Sequence, residues 1–175
     1  MSDYGVLWGA SLPGCLVDST RYNINGTGVC KDETILIGKA VGFGGIVDGY
    51  RMVTADLAGG LMPFGVALRS HDCLYKDEQS GYMAYRSGDP MNVVTRGRVW
   101  VLTKQIEEAP QHGDPVYVLE DGFVGKDSGV LPGGWTFTGD FFKMDRQINI
   151  VGVSILPAAG EQAPPVAYHK KLLHV

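Results

Sequence analysis

Three consecutive residues, His71-Asp72-Cys73, hold the residue types of a thiol nucleophile, its base and the acid that orients the base. A thiolate and its base must meet across space, and three adjacent residues do not all turn inward together. No second His or Asn stands in a partner motif. The segment therefore reads as a turn with a semi-buried thiol, and a small Cys-dependent hydrolase using Cys73 and His71 is the enzyme alternative. Gly42-Phe43-Gly44-Gly45 follows a strand-like run, as a dinucleotide-binding turn would. Val47 breaks the G-x-G-x-x-G spacing and no helix pattern follows, so a β-bulge is the expectation. His71, His112, His169 and His174 are scattered, and Lys170 and Lys171 stand between the last two and repel cations. Asp48-Gly49, Asp121-Gly122 and Asp140 lack calcium-loop spacing, and Asp-Gly is a common hairpin turn. Asn25-Gly26-Thr27 fits a glycosylation acceptor, but the opening Met1-Ser2-Asp3-Tyr4 is not a secretory leader, so it reads as a turn. The chemistry expected is thus none: no catalytic residue, no cofactor and no metal.

Composition favours a scaffold. Of 175 residues, 25 are Gly and 9 are Pro, against a usual glycine frequency of about one in fourteen. Both residues oppose helix. With 45% hydrophobic residues and a net charge of only -4, the chain has the material for a packed core. The acidic balance argues against a nucleic-acid partner, and no apolar run approaches the ~20 residues of a membrane helix. Cys15, Cys30 and Cys73 form no C-x-x-C pair and read as free thiols.

The elements predicted are short strands separated by turn residues: 35–41, 50–54, 64–69, 91–96, 98–103, 115–120 and 148–156. In 98–103, Val99, Val101 and Thr103 face one way and Arg98, Trp100 and Leu102 the other. In 148–156 both faces are apolar, which implies a central strand or one covered by a neighbouring subunit. One helical turn is expected at 105–109, before Pro110. The expected organisation is an N-terminal arm over 1–34, a β core over 35–157 and a C-terminal arm over 158–175. The fold expected is all-β, a small β-barrel or sandwich of short antiparallel strands.

Two segments repeat one another. Gly88-Asp89-Pro90 and Gly113-Asp114-Pro115 each open a β run that ends in Gly-x-Val, at Gly97 and Gly122. Gly-Asp makes a turn, Pro fixes the chain as it enters a strand, and the later glycine closes a tight hairpin. Two Gly-Val strands, at Gly65 and Gly152, bracket the pair. The arrangement resembles the structural cement, or capsid decoration, proteins of tailed bacteriophages. The matching residues are Gly65-Val66-Ala67-Leu68-Arg69-Ser70, Gly88-Asp89-Pro90, Gly97-Arg98-Val99-Trp100-Val101, Gly113-Asp114-Pro115-Val116-Tyr117-Val118 and Gly152-Val153, within residues 35–156. The insertion from Val130 to Trp135 and the long N-terminal segment depart from that pattern.

The resemblance implies a non-enzymatic protein on the outer surface of a phage head, made in the host cytoplasm. There it would clamp neighbouring major capsid protein subunits and self-associate, as a trimer rather than a dimer. On this reading Tyr4, Val6, Trp8, Leu12, Trp135, Phe137, Phe141 and Tyr168 are the candidate capsid or subunit contacts. A carbohydrate- or receptor-binding β-module, with Trp135 and tyrosines as its platform, is the other alternative.

Overall fold

A computed structural model of the chain describes residues 12–70, 75–144 and 148–156. Eleven strands follow in order: β1 (Asn23–Cys30), β2 (Thr34–Leu36), β3 (Ala40–Val47), β4 (Tyr50–Thr54), β5 (Pro63–Ala67), β6 (Ala84–Arg86), β7 (Pro90–Thr103), β8 (Tyr117–Val118), β9 (Val124–Gly125), β10 (Trp135–Phe142) and β11 (Asn149–Ile155). The fold is all-β, as expected. Two of its pairings, β1 with β4 and β7 with β9, are parallel rather than antiparallel.

The hydrogen-bonded pairs run in a closed circuit: β1 with β4, β4 with β3, β3 with β5, β5 with the first part of β7, and β7 back to β1. Strand alternation sends Cys30, Val41, Val53, Ala67, Met91 and Val93 into one buried cluster. The β2–β6 ribbon adds Ile35 and Tyr85, and the Tyr85 hydroxyl donates to the Leu68 carbonyl at 2.7 Å. A second core uses the other end of β7. There Val99 and Val101 pack with Val116, Val118, Val124, Trp135, Phe137, Val151, Val153 and Ile155. β11 lies between β7 and β10, so it is the central strand its two apolar faces predicted.

Four expectations need correction. Gly97 closes no hairpin, because β7 runs unbroken through it. Up to Arg96 the strand pairs with β1 and β5, and from Gly97 onward with β11. Gly97 has φ +118, and a Cβ there would press on Tyr22. It is the point where one strand passes from the first set of partners to the second, which only a glycine allows. Second, Asn23–Cys30, placed in an arm by the sequence, is strand β1, paired on both sides. Its glycine- and asparagine-rich start hides the alternation, and its partners lie far along the chain. Third, 35–41 is interrupted. Gly38 takes φ +89 and splits β2 from β3. Fourth, 105–109 forms no helical turn. The Thr103 hydroxyl instead accepts the Gln105 and Ile106 amides, and Asn149 donates to the Ile106 carbonyl at 2.9 Å.

The repeat is real at its turns. Asp89 and Asp114 each donate their amide three residues back, to Arg86 and Gln111. The Gly88 amide donates to Cys30 at the end of β1, and the Gly113 amide to Phe137 in β10. Gly122 sits in the turn between β8 and β9, where its amide donates to Leu119. The Gly-Val glycines serve close approach. A Cβ on Gly65 would overlap the Val94 carbonyl, and one on Gly152 would overlap the Thr138 hydroxyl. Gly65→Ala is therefore expected to lower the unfolding free energy by about 3 kcal/mol, read from the midpoint of a urea titration. An unchanged midpoint would contradict the close packing of β5 on β7.

Candidate interaction surface

The surface feature that stands out is the tip of the β3–β4 hairpin. Val47 pairs with Tyr50 across a two-residue Asp48-Gly49 turn, with φ +49 and +82. Both central residues have positive φ, the geometry that matches strand twist in tight hairpins. Below the turn the register slips between Phe43 and Ile46, so Gly44 and Gly45 form the expected bulge. Tight turn and bulge together leave four large apolar side chains in water: Ile46 is 69% exposed, Tyr50 63%, Val47 51% and Phe43 43%. The Arg51 guanidinium lies 5.7 Å from the centre of the Phe43 ring, and Asp48 is exposed at the turn. Val47 and Tyr50 share one face of the tip, and Phe43 and Ile46 lie on the other with Arg51; exposed apolar side chains with a polar margin are the form of a protein-docking anchor.

Sequence reasoning missed this tip. Its signal was present in Asp48-Gly49 between β-branched and aromatic residues, a hairpin pattern. What the pattern does not carry is that no other described residue covers the end of the hairpin.

The candidate contacts fall elsewhere. Tyr4, Val6, Trp8 and Tyr168 lie outside the described residues. Leu12 is at the surface and 37% exposed. Trp135 and Phe137 are core residues, because alternation on β10 turns 135 and 137 inward against Val116 and Val153. That removes Trp135 from the platform a carbohydrate-binding reading required. Phe141 is half-buried against the same cluster, while its neighbour Phe142 is exposed. The unmapped insertion joins the core: Val130 and Val118 exchange both backbone hydrogen bonds at 2.7 Å, and Pro132 is buried.

Of the chemistry-bearing residues, His71, Asp72, Cys73, His169 and His174 lie outside the described residues. His112 is exposed, with Nδ1 3.1 Å from the Thr138 carbonyl, so it ties a loop to β10. Cys15 and Cys30 are free thiols. Burial raises both, and the Asp32 carboxylate adds to burial at Cys30, pushing it up to about 12. Asp32 itself accepts the Thr54 hydroxyl at 2.6 Å and the Ala55 amide at 2.7 Å, so it braces β4 and is not positioned to activate the thiol. The raised value has a definite sign. The unfolded chain ionises Cys30 near 9.0 while the fold keeps it neutral, so this group's contribution to stability is complete below pH 9 and declines as pH rises toward 12. Native protein is expected to leave Cys30 unalkylated at pH 8 and to expose it on unfolding, as mapped by mass spectrometry. Rapid native labelling of Cys30 would contradict its burial.

A cleft of about 1040 Å³ opens beside β2, the 75–80 turn and the β8–β9 turn. It is lined by Asp32, Glu33, Asp56, Asp77, Glu78, Glu120 and Asp121 against Lys39 and Lys104. Both lysines lie over the ring of Phe123, at 4.7 and 4.1 Å from its centre. Lys104 also pairs with Asp121 at 3.7 Å, and burial lowers the Lys39 pKa.

With this geometry in place, known proteins offer a comparison. A family model described as the XM1 gp53 minor capsid protein matches residues 1–155. No curated protein matches the chain. Among solved structures, a chain from the capsid of Myoviridae phage XM1 is similar with a TM-score of 0.57 at 21% identity, over 86% of this chain and 94% of that one. That second likeness concerns the fold.

Proposed function

Because the chain belongs to the XM1 gp53 minor capsid protein family, we propose that it is a decoration protein that grips the outside of a phage head and clamps neighbouring major capsid protein subunits. Family membership makes it a structural component of a phage capsid, carried in the virion and associated with other capsid proteins. The finer reading rests on one observation, the four exposed apolar side chains at the tip of the β3–β4 hairpin. Two paired strands hold that tip with no mobile linker, so docking it orders little and loses little entropy. Tyr4, Val6, Trp8 and Leu12 are the proposed residues of a second contact.

The mechanism is multivalency. The chain self-associates, as a trimer rather than a dimer, and presents several hairpin tips at once. Once one tip is seated the others bind at high effective concentration, so modest single contacts sum to tight occupancy. Seams bridged in this way resist the outward pressure of a filled head. A clamp needs shape and apolar contact rather than a nucleophile or a cofactor, and nucleic acid and membrane have no part in it. Synthesis in the host cytoplasm and addition to the shell's outer face complete the reading.

The test is imaging of capsids assembled with and without the protein. Added density on the outer face, bridging adjacent major capsid subunits, is the expected result. Density on the inner face, or within a single subunit's footprint, would overturn the reading.

A further inference from the structure

The tripeptide Asn25-Gly26-Thr27 has no part in the capsid reading. In the fold it lies in β1, where the register against β7 slips between Asn25 and Gly28. Residues 25 to 28 there stand opposite 93 to 91, four against three, so the segment is a bulge and the ladder is locally broken. Gly26 and Thr27 are exposed and Asn25 is half-buried. The Asn25 side chain folds back along its own backbone. Its Oδ1 accepts the Thr27 amide at 3.1 Å and the Thr27 hydroxyl at 2.8 Å.

This geometry favours one reaction. The two donors polarise the side-chain carbonyl and stabilise the charge that gathers on its oxygen when a nucleophile adds to Cγ. The turn closes around the Gly26 peptide, which keeps the carboxamide beside the Gly26 nitrogen. Glycine has no side chain to crowd that approach. We propose that Asn25 is a site of self-modification, with the Gly26 backbone nitrogen as nucleophile. A base from solvent takes the Gly26 amide proton, the nitrogen bonds to Asn25 Cγ, and the Cγ–Nδ2 bond breaks. Nδ2 takes up a proton and leaves as ammonia. Water then opens the cyclic imide at either carbonyl and leaves aspartate or iso-aspartate at position 25.

The other asparagines lack this arrangement. Asn23, Asn92 and Asn149 each precede a β-branched residue, Ile24, Val93 and Ile150, which crowds the following nitrogen. Asn23 also donates to the Thr95 hydroxyl, and Asn149 to the Ile106 carbonyl. Either product adds negative charge to β1, and iso-aspartate adds a methylene to the main chain of the strand that joins β4 to β7. A chain built into a virion is not renewed, so a slow step accumulates with particle age. The inference stands whether or not the clamp reading holds.

Peptide mapping by mass spectrometry tests it on the full chain during incubation at pH 8, beside a Thr27→Val variant, with each chain both folded and held unfolded in guanidinium. In the folded parent, position 25 is expected to convert roughly tenfold or more faster than positions 23, 92 and 149. Thr27→Val removes the hydroxyl donor and keeps the amide. It should slow the folded chain about fivefold and leave the unfolded chain unchanged. The first comparison uses the unaltered chain, so the test survives a variant that folds poorly. Conversion at position 25 no faster than at the other three would overturn the proposal. So would a Thr27→Val effect that is absent from the folded chain, or equally large in the unfolded one.

Discussion

Phe137→Ala is expected to lower the unfolding free energy by about 3–5 kcal/mol without changing how the surviving folded protein meets its partner. Phe137 is fully buried and packs in the same cluster as Val116 and Val153. Its backbone is held on both sides: it pairs with Val153 of β11, accepts the Gly113 amide and donates to the Asp114 carbonyl, each at 2.9 Å. Removing the ring leaves a cavity that this doubly tethered segment cannot close, so the loss falls at the upper end of large-to-small substitutions. For a chain of this size the melting temperature should drop by roughly 10 °C or more. The same ring was a contact candidate from sequence alone, so the result discriminates. Normal stability with lost binding would return Phe137 to the interface.

The second large effect runs the other way. Ile46→Asp combined with Tyr50→Ser should leave the urea midpoint within about 0.5 kcal/mol of the parent and remove most of the affinity for the shell. Both side chains are more than half exposed, so the fold gains little from them. In a docked, dehydrated contact an anchoring side chain contributes about 2 kcal/mol or more, and each such loss is about thirtyfold in affinity. In the proposed oligomer two losses on every tip are then compounded, because each seated tip raises the effective concentration of the next. The aspartate adds a desolvation cost of its own where Ile46 had made apolar contact.

Much of the scaffold was legible in the sequence. The Gly-Asp-Pro turns recur with the same backbone bonds, and each glycine amide reaches a neighbouring strand. The alternation in 98–103 and the two-faced strand at 148–156 also emerged as read. These features are local, and turn chemistry and side-chain period report them directly. Two of the errors are non-local. Gly97 looks the same as Gly122 in sequence, yet one bends a continuous strand and the other closes a turn, because β11 is there to receive the second half of β7. Asn23–Cys30 looked like an arm because its partners sit at 51–53 and 90–96.

The interaction surface failed for a related reason. Trp135 and Phe137 are the residues that interfaces favour, and also those that cores favour. Composition cannot separate the two when a strand can present either face. The exposure of Ile46 and Val47 emerges only from the hairpin, whose tip no other described residue covers. The candidate arm contacts Tyr4, Val6 and Trp8 lie outside the described residues, so the proposed clamp rests chiefly on the hairpin tip.

The central claim is that this tip holds the protein to the shell, and one measurement addresses it directly. Capsids lacking the protein would be saturated with either the parent chain or the Ile46→Asp, Tyr50→Ser variant, and occupancy counted by imaging, with the urea midpoints of both chains in hand. The account predicts full outer-surface occupancy for the parent and a bare shell for an equally stable variant. Equal occupancy by the two chains would contradict it.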